Sequence, residues 1–83
     1  MTMAVDPLRV VKRALSYSGK SLGSRKVIAV DYDEEADILY IKFKHSKIVD
    51  TEPLDSKGLV AASLDDNKNI VGLVIMEASR FSK

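Results

Sequence analysis

The chain contains no cysteine and no tryptophan. The first absence excludes disulfides, thiolate zinc sites and thiol nucleophiles, and it leaves the redox compartment open. Aromatic residues make up only 6% of the chain, and no apolar run approaches the roughly 20 residues of a membrane span. Met1 to Lys12 lacks the apolar core of a signal peptide, so a cytoplasmic protein with no membrane partner is expected. An excess of charge is missing too: the formal net charge is +1, which by itself points to no particular partner.

What is present is the composition of a folded globular protein, with 46% hydrophobic and 30% charged residues. At 83 residues the chain has room for one core. The small net charge conceals a split. Residues 1–26 carry six basic side chains against Asp6 alone, while residues 27–83 carry seven basic and eleven acidic ones. Such asymmetry points to a basic arm or an anionic partner. It divides the chain into a basic N-terminal helix and linker, 1–26, and a sheet domain, 27–83.

The spacing predicts a helix over 6–18. Asp6 can cap it, and Pro7 stands at the first helical position, where its missing N–H costs nothing. Leu8, Val11, Ala14 and Leu15 form an apolar stripe, with Arg9, Lys12, Arg13 and Ser16 on the other side. Gly19 is a natural stop, and residues 18–24 read as a small-residue linker. From Val27 the period changes to strands, at 27–32, 38–43, 48–52, 59–64 and 70–76. The turns between them are rich in Asp, Asn, Ser and Gly, which suit turn geometry. Pro53 places the third strand's end at an edge or in a loop. Residues 77–83 predict a short helical turn or tail. The expected fold is α+β: an N-terminal amphipathic helix packed on a four- to five-stranded antiparallel β-meander. The segment Ile70 to Met76 is apolar on both faces. One face can be covered by the helix, and a second copy of the chain is the expected cover for the other, giving a homodimer.

Two segments carry a family resemblance. Tyr32-Asp33-Glu34-Glu35-Ala36-Asp37-Ile38-Leu39-Tyr40-Ile41 resembles the opening of domain of unknown function 2283, a prokaryotic family. The segment Asp65-Asp66-Asn67 followed by Ile70-Val71-Gly72-Leu73-Val74-Ile75-Met76-Glu77-Ala78-Ser79 resembles its close. Together they cover residues 27–80. Three positions depart from the family pattern: Val74 stands for a Glu, Lys68 for a turn Gly, and Ser63 for a frequent Asp. The resemblance implies no established activity. Some relatives are encoded beside putative toxins, so it implies an antitoxin-like binding role by analogy.

Several local patterns invite chemistry. Ala14 to Ser21 fits a relaxed phosphate-loop pattern, but a phosphate loop follows a strand and opens a helix, whereas this one follows a helix. Asp31, Asp33, Glu35 and Asp37, and the run Asp65 to Asn69, suggest weak calcium binding; the second lacks the Gly and the final Glu of a calcium loop. Solvated hairpin turns are the favoured explanation of both. His45, the only histidine, lies between lysines in a turn with no second ligand. No cofactor, metal or catalytic group is therefore expected. Arg9, Lys12, Arg13, Lys20, Arg25 and Lys26 are the candidate contacts to an anionic partner such as nucleic acid. The plainer reading is a docking helix with a solvated outer face. Ile38, Tyr40, Val71, Leu73 and Ile75 are the candidate protein interface, with plain core packing as an equal alternative. The leading expectation is a non-catalytic protein-interaction module, with nucleic-acid binding and weak calcium binding as alternatives.

Overall fold

The computed structural model describes residues 7–17 and 26–81. Helix α1 runs from Pro7 to Tyr17, as the stripe predicts. Val10, Val11, Ala14 and Leu15 are buried, so the apolar stripe includes Val10 as well as the expected Val11, Ala14 and Leu15. These are two i, i+4 pairs, Val10 with Ala14 and Val11 with Leu15, which share one side of a helix. Asp6, Gly19 and the predicted linker over 18–24 lie outside the described residues.

The strands are β1 (Ala29–Asp33), β2 (Ile38–Lys42), β3 (Asp50–Pro53), β4 (Val60–Leu64) and β5 (Ile70–Met76). All neighbouring pairs are antiparallel. A single 3-10 turn, Ala78–Phe81, closes the described chain. The fold is thus α+β, with one helix and an open five-stranded sheet in meander-like order. The order is β1-β2-β5-β4-β3, so β2 and β3 are not neighbours, and the segment between them crosses to the far edge. Hydrophobicity accounts for this. β5 is apolar on both sides and takes the centre, while β3, with Asp50, Glu52 and Pro53, suits an edge that water must reach.

The registers define two faces. Leu39 pairs with Ile75 and Ile41 with Leu73, and across β4 the same two β5 residues meet Val60 and Ala62. This face carries the core. Onto it pack the four buried residues of α1, together with Ala78 and Phe81 of the 3-10 turn. Each large aliphatic side chain so buried contributes about 1.5–3 kcal/mol. Tyr17 at the end of α1 stands edge-on to Phe81, ring centres 5.5 Å apart. Helix and sheet therefore share one core.

Between Ser63 and Leu64 the β4–β5 register slips, and Ile70 rather than Val71 faces Leu64. Val71 is the extra residue of this bulge. Next to it, Gly72 has no room for a side chain: a Cβ there would run into the Ile41 carbonyl.

Candidate functional site

The acidic side chains of the turns bond to their own backbone. Asp33 accepts from the N–H groups of Glu35 and Ala36, at 3.1 and 3.2 Å. Asp65 accepts from those of Asn67 and Asn69, both at 2.9 Å. Asp55 accepts from Val60 at 2.8 Å and from Lys57 and Leu59 at 3.2 and 3.3 Å. These carboxylates close their own turns, as Asp does wherever its side chain replaces a backbone acceptor. For Asp65 the Asn69 N–H is the main cause that holds the carboxyl below its usual range. At Asp55, partial burial opposes the charge, and the three backbone donors outweigh it. Among the described residues no three potential ligands converge on a metal position.

Asp37 has a different task. Its Oδ1 accepts from the Tyr32 hydroxyl at 2.6 Å and from the Ser79 N–H at 3.0 Å, and its Oδ2 accepts from the Ser79 hydroxyl at 2.6 Å. Its carbonyl accepts from the Ala78 N–H at 2.9 Å. One residue thus ties the β1–β2 turn to the 3-10 turn, 42 positions along the chain. Asp37 does this at a φ of 55°, a left-handed conformation that Asp tolerates better than most residues. Partial burial opposes its charge, but the bonds from Ser79 and Tyr32 prevail and keep its carboxyl below the ordinary value. The same bond to Asp37 pushes the Tyr32 hydroxyl up to about 12, helped by partial burial and by the negative charge of Asp37. This is a structural clip.

The basic candidates divide. Lys12 and Arg13, with Arg9, are exposed on the outer side of α1, and Lys26 is exposed before β1. Lys20 and Arg25 lie outside the described residues, as does the second half of the phosphate-loop pattern. His45 is exposed.

The interface candidates divide more sharply between the two faces. Val71, Leu73 and Ile75 are buried within the chain itself; Leu73 and Ile75 belong to the core. The period-two rule puts alternate residues of β5 on opposite sides. The open side of β5 therefore belongs to Gly72, Val74 and Met76, which the choice of the alternating large residues missed. Ile38 and Tyr40 do lie on the open face: Ile38 pairs with Met76 and Tyr40 with Val74. Next in the same row stand Asp31 on β1 and Ala61 on β4.

This open face is the candidate site. Tyr40 and Met76 are 41% and 43% exposed, an uncommon cost for large apolar groups at the centre of a sheet. Beside Tyr40 lies a groove of about 550 Å³. Asp31, Lys42, Ile48, Thr51 and Val74 line it together with Tyr40, and Ser63 stands at its floor. Ser63 pairs across the sheet with Gly72. The polar groups Asp31, Lys42, Thr51 and Ser63 surround an apolar middle, which suits binding more than acid–base chemistry.

One helix on one side of a five-stranded antiparallel sheet, with an apolar groove on the other, defines a small α+β fold. The family model for proteins of unknown function called DUF2283 matches residues 29–79, most of the chain. The protein belongs to that family. The match begins at β1 and ends at Ser79, so it spans all five strands and the three residues of the Tyr32–Asp37–Ser79 clip. No curated protein and no solved structure matches the chain.

Proposed function

We propose that the protein is a non-catalytic protein-interaction module of the cytoplasm that binds through the open face of its sheet. The observation that supports this reading is the exposure of Tyr40 and Met76, with Val74 between strands, on the side opposite α1. A contiguous apolar patch with a polar rim is characteristic of interaction surfaces. Tyr suits such a place because it joins an apolar body to a polar tip. The homodimer and the antitoxin-like pairing suggested by the family analogy are two forms of the same reading, differing only in the partner.

Capture from the native lysate tests it. The wild-type chain should retain a protein, another copy or a different chain, that Tyr40→Glu and Val74→Asp release while far-UV circular dichroism shows the fold intact. Lys12→Glu with Arg13→Glu should leave that capture unchanged. If instead the chain carries nucleic acid that salt or the α1 double variant removes, and the open-face variants do nothing, the basic helix is the functional surface.

A further inference from the structure

We infer that the occupant of the groove is Tyr40 of a second copy, so that two chains pack open face to open face, each lending a ring to the other's groove. The inference rests on the open-face reading and names its partner.

Three observations carry it. First, a protruding group and a hollow lie side by side on one face. Tyr40 is exposed, and the groove beside it has a floor of Ser63 next to Gly72. A two-fold contact sets a patch against itself, so it needs both a knob and a hole within that patch. Second, the groove offers what a phenol needs. Val74 and Ile48 provide apolar walls. Ser63 is only 2% exposed and makes none of the side-chain hydrogen bonds found among the described residues, while its place in the groove lining leaves it available to a phenol hydroxyl. Third, the rim carries both signs, Asp31 and Lys42. A face for nucleic acid would be basic throughout, and a face for a basic peptide acidic throughout. A face that meets its own copy avoids like-charge opposition by carrying one of each.

The size of the surface sets the strength expected. Five strands spaced about 4.8 Å apart and about five residues long give a footprint of roughly 400 Å² before side-chain relief. Two such faces bury about 800 Å² together, below the about 1,200 Å² at which stable pairs begin, so the pair is a weak one and association should depend on concentration in the upper micromolar range.

Sedimentation equilibrium of the purified full chain, from about 5 to about 500 µM, tests the inference. The expected result is a shift from the 9.2 kDa chain mass to twice that mass. Tyr40→Ala should weaken the pair by about 100-fold, as for a central aromatic anchor. Tyr40→Phe and Ser63→Ala should each weaken it by roughly 2- to 10-fold, and the double variant no further, because both remove one hydrogen bond. A mass of one chain at every concentration overturns the inference. So does a pair that survives Tyr40→Ala, and additive losses overturn the contact with Ser63. If the chain is a monomer yet Tyr40→Glu still releases a lysate protein, the open-face reading survives and only the second copy is lost.

Discussion

The two faces of the sheet are made by the same strands, and on β5 they alternate residue by residue. Ile75 is fully buried beneath the α1 layer, while Val74, one position away, looks out beside Tyr40. Both are β-branched and aliphatic. Their difference is therefore set by what lies opposite, four buried helical side chains on one side and an open groove edged by Ile48 and Thr51 on the other. A strand's apolar content says that it is central. It does not say which of its residues the monomer consumes and which it leaves for a partner.

The sharpest test of this contrast is to shorten the covered member. Ile75→Ala should cost about 2–5 kcal/mol in urea unfolding, the usual range for emptying a packed aliphatic site. A loss under about 1 kcal/mol would mean that α1 does not cover this face.

The clip comes next. Asp37→Asn should destabilise by about 1–3 kcal/mol, since Tyr32 and Ser79 lose a charged acceptor. It should also narrow the pH response. Asp37, Asp55 and Asp65 are held below their ordinary values, so their stabilisation is present above the usual carboxylate range and fades as pH falls through their folded values. Tyr32 acts in the opposite sense: its contribution is whole below about 10 and is lost as pH rises toward about 12. In Asp37→Asn the Tyr32 ring, followed by carbon NMR, should titrate nearer its ordinary value, and the Asp37 share of the acid loss should vanish.

A smaller effect of opposite sign belongs to the β4–β5 turn. Lys68 has a φ of 63° in a turn closed by its N–H on the Asp65 carbonyl at 3.0 Å. The β3–β4 turn uses Gly58 in the same way, at φ 71°. Lys68→Gly should therefore stabilise the fold by about 0.5–1 kcal/mol, measured by the same urea titration. Smallest of all, Val74→Thr should change the stability of the isolated chain by less than about 0.5 kcal/mol, while weakening any association through the open face.

Much of this was legible along the chain. The i, i+4 spacing of the helix and the alternation of Leu39 and Ile41 against Ile38 and Tyr40 follow from local periodicity, and the structure places them as that periodicity says. The neighbours of β2 and β3 were not legible, because the segment between them carries no signal of how far it travels. Nor was the face of Leu73 and Ile75, since β5 is apolar at nearly every position and gives the period-two rule nothing to read. The clip was visible only as two separate resemblances. Tyr32 and Asp37 stand in the opening motif and Ser79 in the closing one, and only the fold brings them within bonding distance.

The position of β5 has a consequence for how the molecule is made. On a ribosome, the β1–β2 and β3–β4 hairpins emerge first, each with one edge that has no neighbour until β5 arrives. The strand that joins them is the last of the five to be synthesised. Until then neither hairpin can bury its apolar side fully, and a pair of strands alone is marginal in water. Completion of the sheet must therefore wait for most of the chain, because its centre is the last strand to be made.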